Sequence, residues 1–158
     1  MNKFIDSVYK IHNNPFVLTP LIVVFYENLE QKPKNILLAY LVLPIVLNER
    51  SKQTLQTAKS TSSIHTFIDS KDKSKRENIF GLPERIQNYK EITNQCIQYA
   101  IDNQWIKLNE DLSIEFLKNV DNKVENLNQS FKASSNLYKI FRNLDVVAIY
   151  RLFGVKEI

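Results

Sequence analysis

The stretch AIDNQWIKLNEDLSIEF, residues 100–116, closes a helical pattern, turns at an Asn, and then alternates apolar and polar residues on either side of NED. Upstream, Leu82, Ile86, Tyr89, Ile92 or Thr93, Cys96, Ile97, Ala100 and Ile101 recur at spacings of three and four, which places them on one face of a long helix opened by Pro83. Downstream, Trp105, Ile106 and Leu108, then Leu112, Ile114 and Phe116, form the two arms of a hairpin around the three-residue NED. A long helix followed by a wing is how many bacterial regulators read DNA. It can equally serve as a bracket that holds other proteins.

Away from this unit the chain reads as further helices. Asn14 before Pro15 and Thr19 before Pro20 are two alternative starts, cap then Pro, for a helix running to about Glu30. Its apolar residues surround the axis, as in a helix packed on several sides. Lys32, Pro33 and Lys34 break the chain, and residues 35–47 form an apolar segment that Pro44 should kink or end. A polar stretch over residues 51–60 is anchored by Leu55, and Ser and Thr caps precede a short helix carrying Ile64, Phe67 and Ile68. DSKDKSKREN, residues 69–78, reads as an exposed loop and as the most mobile segment. Residues 118–130 are ambiguous between weak helix and loop. Helical spacing resumes through Leu137, Ile140, Phe141 and Leu144, and Asp145 caps a last short helix ended by Gly154. The expectation is a single, mainly α domain over residues 1–158, a compact helical body with a small β-hairpin wing, winged-helix-like.

Composition narrows the function. Two Gly residues, Gly81 and Gly154, leave no room for a GxxxxGK[ST] or GxGxxG phosphate loop, so no nucleotide cofactor is expected. His12 and His65 lie far apart without a second ligand at helical spacing, so no metal is expected and both read as solvated or capping residues. Glu110 and Asp111 fall at a hairpin tip, where they read as turn residues. Cys96 sits on the inward face of the long helix, where an inert thiol is expected and no disulfide can form. The chain is read as not an enzyme. The apolar run at residues 36–47 falls well short of the ~20 residues that cross a bilayer, and the N-terminus lacks a secretory pattern. A cytoplasmic protein without a membrane partner follows.

The net charge of +4 at pH 7 raises the question of nucleic acid. The polar face of the long helix is charge-balanced, however, and the wing tip is acidic, which would repel phosphate. Lys71, Lys73, Lys75 and Arg76 are candidates for DNA contact, but Asp69, Asp72 and Glu77 are interleaved with them. Nine Phe, seven Tyr and one Trp, in contrast, are many for a core of this size. Phe16, Phe25, Tyr26, Tyr150 and Phe153 are therefore candidates for a partner interface, against the plainer reading that they are core.

Taken together, NNPFVLTPLIVVFY, LLAYLVLPIVLNE, TSSIHTF, FGLPERIQNYKEITNQCIQYAIDNQWIKL and the terminal IYRLFGVKEI resemble the middle components of three-component ABC systems of bacterial anti-phage defence, Lamassu among the best known. The blocks span most of the chain, and residues 118–130 depart from the pattern. The resemblance implies a non-catalytic adaptor between an SMC-like ABC ATPase and an effector, often a nuclease, that it restrains, with DNA reached indirectly through the complex. The alternative is a winged-helix DNA-binding transcription regulator.

Overall fold

The computed structural model describes residues 13–69, 71–121 and 124–158. Helix α1 (Pro15–Asn28) uses the first of the two expected starts. The Asn14 side chain accepts the Phe16 amide at 3.0 Å, and Pro15 takes the first helical position. Pro20 therefore lies inside the helix, where Thr19 is no cap; its hydroxyl donates back to the Pro15 carbonyl at 2.6 Å. Residues 18–26 are all buried, so α1 is enclosed on every side, packed against α6 (Leu82–Asp102) and α7 (Asn128–Phe141).

A 3₁₀ turn (Asn35–Leu38) leads into α2 (Ala39–Val46), and Pro44 is followed by the helix end two residues later. Helix α3 (Glu49–Gln56) is capped by Asn48 and buries Leu55 fully against α7. Ser63 and Thr66 close a reciprocal capping box on the single turn α4 (Ile64–Phe67). The segment expected to be a mobile loop instead forms another turn, α5 (Lys73–Arg76), capped by Asp72. Its far end is anchored by Asn78, which is completely buried. The Asn78 amide donates to the Phe67 carbonyl at 2.8 Å, and its own carbonyl accepts from Ser51 and Arg85.

The long helix α6 buries Leu82, Ile86, Ile92, Thr93, Cys96, Ile97 and Ala100. It ends in a Schellman arrangement: the Gln104 amide donates to Ile101 and the Trp105 amide to Ala100, with Gln104 at φ +57°. Strands β1 (Ile106–Leu108) and β2 (Ile114–Phe116) then pair antiparallel, Lys107 opposite Glu115. The connection is residues 109–113 rather than NED alone. Leu112, expected in an arm, sits in the loop at φ +61° with 48% of its surface exposed. The reason is an Asx turn, in which the Asp111 carboxylate accepts both the amide and the hydroxyl of Ser113.

Within residues 118–130, residues 118–121 are irregular and bury Val120, Glu125–Leu127 form a 3₁₀ turn, and Asn128 starts α7. Lys32 reaches the far end of α7 and donates to the Phe141 and Leu144 carbonyls at 3.3 and 2.8 Å. Of these, the Phe141 carbonyl is an orphan of the last turn, so the cation also meets the negative end of the helix dipole. Helix α8 (Val146–Leu152) is capped by Asp145 and closed by Gly154 at φ +69°. The fold is thus mainly α, with one small antiparallel hairpin beside the long helix.

Candidate partner interface

The hairpin is tied to the body along the outward edge of β2. Asn35 is buried, and its Oδ1 accepts the Ile114 amide at 2.6 Å. On either side the Lys34 amide donates to Asp111 at 3.0 Å and the Ile36 amide to Leu112 at 3.2 Å. Tyr26 holds this clamp from below, its hydroxyl donating to the Asn35 carbonyl at 2.8 Å. Burial raises the Tyr26 hydroxyl well above the usual tyrosine pKa, with a smaller push from Tyr150, so it remains a donor.

With its edge held, the hairpin lays one face on the core and leaves the other open. Ile106 and Ile114 point into the core, so alternation turns Trp105, Lys107, Glu115 and Leu117 outward. Trp105 and Leu117 face each other across the ladder, the Leu117 amide donating to the Trp105 carbonyl at 2.9 Å. The half-buried Trp105 ring meets Tyr99 edge-on at 5.2 Å, and Tyr99 meets Phe16 edge-on at 4.8 Å. Phe16 is 64% exposed and Leu117 45%. The result is an aromatic strip from the start of α1, across the end of α6, onto the outer face of the hairpin. Phe16 and Leu117 stand in water at its two ends with the half-buried Tyr99 and Trp105 between them, and a contiguous exposed apolar strip is the usual mark of an interaction surface.

Of the five aromatic residues singled out in the sequence, Phe16 alone lies on this strip. Phe25, Tyr26, Tyr150 and Phe153 are buried. Phe25 and Phe153 both stack edge-on against Phe141 at 5.9 Å, and Phe67 joins Phe153 at 6.2 Å, forming a spine through the core. Tyr150 floors a shallow apolar cleft of about 500 Å³ between α8 and the residues that follow it, and its hydroxyl donates to the Leu37 carbonyl. Tyr99 and Leu117 escaped the sequence reading. Tyr99 is at the margin of the buried face of α6, three residues after Cys96, and Leu117 lies one residue past β2, out of step with the apolar alternation of Ile114 and Phe116.

Lys71, Lys73, Lys75 and Arg76 fall on and just before α5, with Asp72 capping the turn. Glu77, next in sequence, is drawn away to Arg50 at 2.6 Å. The Asp111 carboxyl is held below its usual pKa by the Ser113 hydroxyl and amide, so the tip stays anionic. His65 is exposed, and His12 lies outside the described residues. Cys96 is buried against α1, and burial pushes its thiol up to about 11. Among the described residues no three His, Cys, Asp or Glu side chains converge as metal ligands, and no helix is long and apolar enough to cross a membrane.

Comparison with known proteins adds one finding. Neither a curated protein nor a solved structure matches the chain. A family model, however, matches residues 2–157, which is nearly the whole chain, and takes in the clamp, the hairpin and the aromatic strip together. The chain belongs to the ABC-three component (ABC-3C) system Middle Component 3 family.

Proposed function

We propose that this middle component is a non-catalytic adaptor, which docks an effector, often a nuclease in systems of the Lamassu kind, on an SMC-like ABC ATPase and restrains it until infection is sensed. The observation that carries the reading is the family match over residues 2–157. A middle component without a nucleotide loop of its own suits a role between an ATPase and an effector. The strip of Phe16, Tyr99, Trp105 and Leu117 supplies a docking face of the right chemistry, aromatic and partly desolvated. Such an adaptor would work in the cytoplasm, where phage DNA enters.

The test is affinity purification of the tagged chain from cells expressing it with its neighbouring genes. The ATPase and effector should co-purify with the native chain. Phe16→Glu should weaken capture of at least one of them by ten-fold or more without lowering the melting temperature. Recovery of neither partner with the native chain would refute the adaptor reading. Full capture by Phe16→Glu would remove the strip from it.

A further inference from the structure

The basic residues are not spread evenly. Residues 50–68 and 126–144 contain six Lys and Arg and no Asp or Glu, so the remainder of the chain carries a net negative charge despite the overall +4. The fold brings the two segments together, because α3 and α4 both pack on α7. Lys139 donates to the Ala58 carbonyl at 3.0 Å, and Arg142 to the carbonyls of Ser60 and Ser62. Carbonyl acceptors orient these cations without neutralising them.

Lys132 and Lys139 lie seven residues apart on α7 and Arg142 caps its C-terminus, a stripe of about 15 Å. Lys59 and Lys75 stand beside it around a 220 Å³ hollow that no carboxylate lines. Arg50 and Lys52 are already paired, with Glu77 and Glu49, and are set aside. The hollow is lined by the hydroxyl residues Thr54, Thr57, Ser62 and Thr66 and by Leu55, Phe67 and Ile140, which are themselves buried and expose almost no apolar surface.

What the face lacks identifies its ligand. Among the described residues, none of the large exposed apolar side chains lies in either segment. A protein partner would want an apolar centre, and a single strand would want an exposed ring on which to stack bases. Tyr138 is half-buried, with the Arg142 guanidinium 6.0 Å from its ring. Lys, Arg, hydroxyl and amide groups on a rigid surface are the set that contacts phosphate and sugar and reads no bases. We infer that the face formed by α7, the loop between α3 and α4, and Lys75 of α5 binds double-stranded nucleic acid through its phosphodiester backbone, without sequence preference. The inference is independent of the adaptor reading and concerns the isolated chain.

The experiment is fluorescence anisotropy of a fluorescein-labelled 20-base-pair random duplex, in a DNA and an RNA arm, titrated with the full chain at several salt concentrations. Binding in either arm supports the proposal and identifies the duplex taken. With about five cations engaged, affinity should fall by two orders of magnitude or more between 50 and 200 mM salt. Lys59→Glu with Lys132→Glu, both at exposed positions, should weaken binding at least ten-fold and flatten the salt slope by about two units. Lys71→Glu with Lys73→Glu should stay within about two-fold. Circular dichroism checks that both variants fold. The proposal is overturned by absence of binding at 50 mM salt, by an unaffected Lys59/Lys132 variant, or by a single strand binding as tightly as the duplex. Competition by poly-glutamate as effective as by unlabelled duplex would also overturn it, assigning the face to an acidic protein.

Discussion

Replacing Asn35 with Ala should loosen the hairpin from the body more than its size suggests. The side chain is 1% exposed, and its Oδ1 accepts the Ile114 amide at 2.6 Å in a site closed to water. After truncation that amide is left buried without an acceptor, which costs about 1–3 kcal/mol. The three heavy atoms removed leave a small void and add about 1 kcal/mol, giving about 3 kcal/mol in all. For a chain of this length such a loss lowers the melting temperature by about 6–12 °C. Thermal unfolding followed at 222 nm measures the global term. Amide hydrogen exchange locates it, and Ile114 should lose protection first because its donor is the one orphaned. A melting temperature within about 2 °C of the native chain, with Ile114 exchange unchanged, would show that the clamp is not what holds the hairpin.

Three further outcomes follow from other sites. Gln104 holds the left-handed position of the α6 terminus at φ +57°, so Gln104→Gly should raise stability by about 1 kcal/mol in urea unfolding. Trp105 is half-buried and shares its ring contacts with Tyr99, so Trp105→Ala should cost about 2 kcal/mol, less than for a fully enclosed ring, and should also weaken partner capture. The Cys96 thiol is raised to about 11 by burial, so between about pH 9 and 11 the unfolded chain releases this proton while the folded chain keeps it. The native protein should therefore lose stability across that window relative to Cys96→Ala, by up to about 2–3 kcal/mol, as read from urea midpoints.

The elements legible in the sequence were those whose signals are local. Asn14 before Pro15, Ser63 before its short helix and Asp145 before the last one each cap the helix expected of them, since a cap acts within three residues. The face of α6 was legible because three- and four-residue spacing runs unbroken across its length. What could not be read depends on partners distant in the chain. Asn35 and Asn78 look like solvated polar residues in sequence, yet their amides are satisfied by Ile114 and Phe67, and that satisfaction is what permits their burial. The same holds for the aromatic residues. Whether Phe16 or Phe25 reaches water depends on what α6 and α7 cover, and the composition of α1 does not contain that information.

The geometry of the hairpin bears on how such a unit can be used. A wing that reads DNA presents its tip, with basic side chains directed at phosphate. Here the tip carries Glu110 and Asp111, and the Asp111 and Leu112 carbonyls and the Ile114 amide are all occupied by residues 34–36. Freeing the tip would forfeit three hydrogen bonds, about 3 kcal/mol in total, before any new contact formed. The outer face needs no such release, because Trp105 and Leu117 take none of the hydrogen bonds that the clamp makes. Pinning the tip therefore stiffens the face, and a stiff aromatic face loses little conformational freedom when it docks. Lys132, Lys139 and Arg142 lie elsewhere, along α7 and beside the loop it supports, so an aromatic docking strip and a phosphate-binding face can be occupied at the same time. Gln31, whose amide reaches the Ser113 hydroxyl at 3.3 Å, is part of the same clamp, so shortening it to Ala should weaken partner capture while leaving duplex binding unchanged.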